Sequence, residues 1–464
     1  MRFPDLWQWE GTVSRSTYAL VGFIGFAAKY NLDRIVARFC FHRSWGLSNY
    51  WMPLGPAVHI TQLASSGAAF AATLVALALP FIWVGVSMTV RRLRDAGLPV
   101  WLACLFFVPV VNLVFFVLLC ALPARARGPA GEAAPWPGPR FLDALIPRSE
   151  MGSAALAIFL TALLGLGFVL LGTVVANVYG WGLFVALPFC LGLFSVLLHS
   201  YREPRSLGPC MGVAALSVGM LAVALLMFAV EGLICLLMAA PLGLLLALLG
   251  GGLGYSIQSH HWDRAGTPAL LSAVLLFLPG FLGLEHMARV EPPTLEVHTA
   301  IEVNAAPEQV WREVIAFSQI PEPHELLFRA GIAYPLRAEI VGHGPGAERH
   351  CIFSTGTFVE PIEVWDEPRL LKFGVTSNPE PMQEWTPYGH IDAPHLHGFL
   401  VSRAGQFRLT ALPDGHTRLE GTTWYRHTMW PAVYWQMWSD YIIHRIHLRV
   451  LRHIAAEAEH SPGK

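Results

Sequence analysis

Two hydrophobic rhythms divide this chain. Up to about residue 288 the apolar residues come in long unbroken runs, and beyond Arg289 they alternate with polar ones. A hydrocarbon layer of roughly 30 Å is crossed by about 20 apolar residues in a helix. Ser66–Met88, Val100–Leu122, Ser153–Ala176, Trp181–Leu198, Gly212–Val230, Gly232–Tyr255 and Pro268–Leu284 approach or reach that length. Tyr18–Phe41 is a further candidate, interrupted by Lys29, Asp33, Arg34 and Arg38. Lys29 and Asp33 stand four apart, where a helix brings side chains together; alternatively these charges mark the bilayer interface. The pattern predicts an α-helical membrane bundle of about seven to eight spans. The Pro/Gly-rich stretch Gly128–Pro147 reads as a linker within it. The predicted division is therefore 1–127, a linker at 128–150, a five-helix block at 151–288, and a soluble domain at 289–464.

In the last part the period shortens. Leu295–Val303 alternates as a strand does. Asn304-Ala305-Ala306-Pro307-Glu308 then signals a helix start, with Val310, Trp311, Val314, Ile315 and Phe317 as its apolar stripe. Further strand patterns follow at Arg337–Gly342, Arg349–Thr355, Phe358–Asp366, Arg369–Val375, Leu400–Leu412 and Thr417–His427, separated by Gly-Pro, Pro-Asp-Gly and Glu-Pro turns. A long helix is predicted from Pro431 to about Glu459. The predicted order is β-α-(β)6-α.

Composition sharpens the split. The near-zero net charge conceals about +5 on residues 1–288 and about −6 on residues 289–464. Only 14% of residues are charged, against about a quarter in soluble chains. Neither part has the dense basic patch of a nucleic-acid binder. Six of the seven cysteines lie before residue 289, leaving Cys351 alone in the last part, and no CxxC pair suggests zinc. No cleavable signal peptide is evident. The preference for Arg over Lys points to a bacterial source. The run Gly250–Gly252 lacks the Lys-Ser/Thr of a phosphate loop and suits close helix packing.

Trp9-Glu10-Gly11, Ser14-Arg15 and Tyr18, then Arg91-Arg92-Leu93-Arg94-Asp95-Ala96-Gly97 and Trp101, resemble the DUF805 family of small bacterial membrane proteins over residues 5–125. This sequence has Arg94 where that family commonly has His, and a longer insert around residues 40–60. The resemblance implies a membrane module without an established activity. Arg91, Arg92 and Arg94 are expected to form a cationic cluster at a membrane surface, orienting the chain or meeting anionic headgroups. Two topologies stay open. If Val100–Leu122 crosses once, the soluble domain lies inside the cytoplasm; if it bends back at Pro109–Asn112, the arginines share one face and the domain lies outside.

Val303-Asn304-Ala305-Ala306-Pro307-Glu308-Gln309-Val310-Trp311, with the predicted element order, resembles the START-like/SRPBCC superfamily, in particular its polyketide cyclase/dehydrase and lipid-transport branch. The resemblance implies an α+β helix-grip fold, an antiparallel sheet curved around the C-terminal helix with an apolar cavity between them. Such proteins bind hydrophobic molecules; some are cyclases or hydrolases, and no universal catalytic motif carries over. On that fold, Trp435, Trp438 and Ile442 of the helix, Trp424 before it, and Phe353, Phe358, Trp365 and Phe373 of the strands are the expected cavity residues, with core packing as the simpler account of the same stripe.

Thirteen of the nineteen histidines lie beyond residue 288. Asp440, His444 and His447 share one helix face; His395 and His397 with His444 and His447 are a candidate metal set. His427 or His444, with Asp440 as orienter, is a candidate acid–base pair. Solvated or hydrogen-bonded histidines explain both spacings equally well. No residue is assigned as catalytic and no cofactor is expected. Thr376–Leu396 is long and polar for a turn and is the candidate cavity entrance, while Trp385 and Tyr388 also suit a membrane interface. The favoured reading is a membrane-anchored binder of a hydrophobic or lipid-like small molecule, partnered by the bilayer and by no nucleic acid. The alternatives are a cyclase or hydrolase on a hydrophobic substrate, marked by a His–carboxylate pair inside the cavity, and a transport or signalling protein, for which Lys29, Asp33, Glu231 and Glu285 are sparse intramembrane chemistry.

Overall fold

A computed structural model describes residues 6–50, 65–108, 110–124, 140–259, 267–288, 292–389, 391 and 393–460. The linker up to residue 139, residues 51–60 of the insert, and Pro109 fall outside them. The chain forms two compact units. One comprises residues 1–228 and 239–290; the other comprises residues 229–238 and 291–464.

The first unit is helical. Its helices are α1 (Arg15–Phe41), α2 (Ser65–Ala96), α3 (Val111–Ala121), α4 (Arg140–Leu145), α5 (Glu150–Leu170), α6 (Leu187–His199), α7 (Leu207–Met227), α8 (Leu233–Ser259) and α9 (Thr267–Ala288). π-helical turns extend α5 to Val175 and begin α6 at Gly182. Five described segments are long and apolar enough to cross a bilayer: Ala72–Ala96, Glu150–Val175, Gly182–His199, Leu207–Met227 and Leu233–Ser259. This is a membrane protein. The run at 100–122 is no continuous span. It is a 3-10 helix, Val100–Phe107, broken before α3 by Val110 at φ +66°.

α6 is the most enclosed of these segments and packs against both α5 and α7, which also pack on each other. It also meets α8 backbone to backbone. A Cβ on Gly250 would stand 2.0 Å from the Phe189 carbonyl oxygen, and one on Gly192 2.0 Å from that of Ala247. The glycine run is thus a packing device, because only a missing side chain lets the helices approach so closely.

Of the arginine motif, Arg91 and Arg92 are buried and Arg94 is exposed. Arg92 is fully buried at the end of α2. Its guanidinium donates to the carbonyls of Leu119 and Leu122 and, at 2.5 Å, to Asp95. Those carbonyls belong to the C-terminal turn of α3, where backbone acceptors lack intrahelical donors. Arg94 donates to the Trp9 carbonyl, tying the two halves of the DUF805-like pattern together. Lys29 and Asp33 pair as their spacing predicts, and the buried Asp33 also accepts from the Tyr50 hydroxyl at 2.6 Å.

The second unit is an α+β helix-grip fold. Its strands are β1 (Leu295–Val303), β2 (Pro335–Val341), β3 (Glu348–Phe353), β4 (Gly356–Asp366), β5 (Leu370–Gly374), β6 (Leu400–Ala411) and β7 (Thr417–His427). They form one antiparallel sheet in the order β1-β7-β6-β5-β4-β3-β2. α10 (Pro307–Ile315) and the short α11 (Leu326–Arg329) follow β1, and α12 (Ala432–His460) closes the chain. α10 starts where Pro at its first turn and the Gln309 side chain, accepting from the Ala306 amide, predispose it. The main core joins α10, the sheet and the C-terminal half of α12 around Trp311, Leu371, Leu419, Leu451 and Ile454. A second core joins Ile442 of α12 to Phe328, Met382, Ile391 and Leu396, with Ile234 and Met238 packed against it. The segment 376–399 is therefore a strap with its own core, held also by bridges Val359–Ser377 and Ile332–Met382.

Candidate functional site

A cavity of about 120 Å³ lies between the sheet and α12. Phe353, Phe358 and Phe373 line it, as do Ile443, Ile446, His447, Val450 and Leu451 of α12. The wall includes Arg349 and Glu360, both buried. They stand directly opposite each other on β3 and β4 and form an ion pair. Arg349 also donates to the Ile315 carbonyl at 3.3 Å. Its guanidinium carbon lies 5.3–5.5 Å from the ring centres of Phe317, Phe373 and Phe407, within cation–π range. Burial pushes the Glu360 carboxyl up, against the pull of the guanidinium. Burial, reinforced by Glu360, pushes the neighbouring Cys351 thiol up to about 12, so it stays a neutral, unreactive wall.

The polar remainder of the lining is Ser402, Gln406, Thr422, Thr423 and His447. His447 hydrogen-bonds Thr423 at 2.8 Å and Thr299 at 3.1 Å. Burial, helped by His444 and His298, pushes its pKa down to about 3, so the ring is neutral. The cavity combines an aromatic wall, hydroxyl and imidazole hydrogen-bonding groups, and one compensated charge pair.

The remaining sequence candidates lie elsewhere. Trp435 is buried without lining this cavity. Ile442 serves the second core, and Trp365 packs on Trp311 at 6.0 Å. Trp424 donates to Glu296 at 3.0 Å, and Trp438 is half-buried outside the lining. The cavity face of α12 is 443-446-447-450-451, one step round and further along than the aromatic stripe suggested. Of that stripe, Ile442 packs against the strap residues Met382, Ile391 and Leu396.

The acid–base pair does not form. Asp440 accepts from the Tyr425 hydroxyl at 2.6 Å and from Gln436 at 3.2 Å, whereas the exposed His444 bonds Thr299 at 2.8 Å. His427 is buried beside Tyr425, and burial pushes its pKa down to about 4. The four-histidine metal set does not assemble either. His444 and His447 share Thr299, His397 is exposed, and His395 is buried against Glu231 and Glu384. Sequence reasoning missed Arg349 and Glu360, although a two-residue turn at Ser354-Thr355 fixes their register.

Residues 6–129 match the family described as protein of unknown function (DUF805). No curated protein matches the sequence. Among solved structures, the aromatase/cyclase Zhui from a Streptomyces species is 14% identical, with 36% of this chain and 94% of that chain covered at a TM-score of 0.23. A norcoclaurine synthase of Thalictrum flavum is 12% identical, with 37% and 98% covered and a TM-score of 0.25. A Nitrosospira multiformis protein is 18% identical, with 35% and 95% covered and a TM-score of 0.23. These neighbours cover the C-terminal part.

Proposed function

We propose that this protein is a membrane-anchored binder of a hydrophobic small molecule, which sits in the cavity between the sheet and α12. The observation that carries the reading is the cavity's lining, in which phenylalanines and aliphatic residues surround a few hydrogen-bonding groups. That is the composition of small-molecule sites. Its volume narrows the ligand. Drug-sized sites occupy about 300–1,000 Å³, whereas an apolar cavity of about 150 Å³ takes benzene. The bound portion is therefore one ring or a short stretch of acyl chain, its polar end toward Thr422, Thr423 and His447. Placement in a bacterial inner membrane accords with the arginine-rich composition and the long apolar helices. The bent reading of residues 100–122 favours the second unit outside the cytoplasm; reporter fusions after Arg289 that are active only in the cytoplasm would reject that side.

The experiment is native mass spectrometry of the full chain released from detergent. The wild type should carry an apolar adduct of defined mass, absent from Ala404→Phe, which fills the cavity from its lining residue Ala404 on β6. An adduct-free wild type that also fails to take up added small aromatics or short fatty acids would remove the proposal.

A further inference from the structure

Away from that cavity, the second unit gathers a carboxylate, a thiol and an imidazole that the binding reading does not use. Glu231 precedes α8, Cys235 lies in its first turn, and His395 lies in the 3-10 turn Pro394–Leu396 of the strap. All three are buried, at 5%, 7% and 4% exposure. One ligand atom from each falls within 4.8 Å of the others. None of them lines the cavity.

We infer that Glu231, Cys235 and His395 form a binding site for a borderline-soft divalent ion, Zn²⁺ above all. Thiolate, imidazole and carboxylate are the donor types zinc takes, at about 2.3 Å for sulfur and about 2.0–2.2 Å for nitrogen and oxygen. Tetrahedral bonds of those lengths set ligand atoms about 3.3–3.8 Å apart. The three ligand atoms already lie within 4.8 Å of one another, with His395 Nδ1 2.9 Å from Glu231 Oε2.

The surroundings supply a separate indication. With Nδ1 toward Glu231, the other ring nitrogen of His395, Nε2, lies 3.5 Å from Glu384 Oε1. Metal-bound histidines commonly offer their second N–H to a carboxylate, which fixes tautomer and ring orientation. Glu384 is itself immobilised. Its two oxygens accept from the backbone amides of Ile234 and Cys235, each at 3.0 Å. That bond also fixes the backbone carrying the Cys235 ligand, so one carboxylate orients two of the three donors. Three protein ligands leave a fourth position for water or another small donor. The ion would fasten the strap to the first turn of α8.

The test uses the full chain in detergent, without a histidine tag. Plasma mass spectrometry should find one zinc per chain after dialysis against trace zinc. Cobalt replacement should give a thiolate-to-cobalt charge-transfer band. Cys235→Ser should abolish the band, and Cys235→Ser and His395→Gln should each weaken zinc affinity by at least about tenfold. His444→Gln and Cys40→Ser should leave both readouts unchanged. Because the two ligand variants may fold poorly, X-ray absorption of the cobalt-loaded wild type provides a second measurement, which should show one sulfur neighbour among nitrogen and oxygen. A sulfur-free shell, a band that survives Cys235→Ser, or a wild type that holds no zinc and whose unfolding ignores both EDTA and zinc would overturn the site and leave an ion-pair lock.

Discussion

Two buried clusters of the second unit bring acidic and basic groups together, and they are balanced in opposite ways. Beside the cavity, one guanidinium meets one carboxylate, and three phenylalanine rings cover the cation. At the strap, two carboxylates face one imidazole and one thiol. The first arrangement is complete in itself, because each charge has its opposite across adjacent strands. The second has more anions than cations even when His395 is protonated, and part of the excess is spent on the amides of the first turn of α8. A compensated pair shapes a wall; an anionic excess invites a cation. The two regions should therefore answer differently to substitution, acid and metal.

The largest expected effect is at the cavity. Glu360→Gln leaves the Arg349 charge buried without a partner, at a cost of about 3–5 kcal/mol in chemical denaturation. The double replacement Arg349→Met with Glu360→Leu should recover most of it. If the single variant cost as little as a surface pair does, the pair would not be the closed element described.

Acid comes next. Burial depresses the pKa of His427 to about 4 and that of His447 to about 3, below the roughly 6.5 of an unfolded histidine. Between those values the unfolded chain binds more protons than the folded one. Stability is thus fullest above about pH 6.5 and falls on acidification, by up to about 1.4 kcal/mol per pH unit for each ring. For His427 that amounts to about 2–3 kcal/mol by pH 4.5, and His427→Asn should flatten the profile. A pH-independent midpoint between 7.5 and 4.5 would contradict neutral burial.

At the strap, a Cβ on Gly232 would stand 2.1 Å from Glu384 Oε2. Gly232→Ala should cost about 1–3 kcal/mol through forced displacement, read by thermal unfolding, while leaving small-molecule binding at the cavity intact. Smallest is Tyr425→Phe, which removes the bond to the half-exposed Asp440 and should cost about 1 kcal/mol. A loss of ligand binding with that variant would restore a cavity role to Asp440.

The strands and helices of the second unit were legible because their periods are clean. The predicted strand Thr417–His427 is β7 to the residue, and the predicted Pro431–Glu459 helix is α12 within one residue at each end. The Arg349–Glu360 pair was legible in principle. Arg349 shares a strand face with the buried Cys351, two residues on, and the hairpin register sets it against Glu360. It was passed over because an arginine in a strand reads as solvent-facing. The stripe of α12 differs for a related reason: periodicity gives a buried face but not what covers it, and at Ile442 the strap does. The strap cluster left no local trace, since its bonds join residues 150 apart in sequence.

That separation bears on how the molecule is made. The second unit is discontinuous in sequence, since residues 229–238 belong to it although the rest of α8 and all of α9 intervene before residue 291. During synthesis Glu231 and Cys235 emerge long before Glu384 and His395, so the early segment must wait while two helices are inserted. A fragment beginning at residue 289 would omit it and expose Ile332, Met382 and Leu396 where Ile234 and Met238 belong. The unit can therefore be completed only after residues 239–290 have been made.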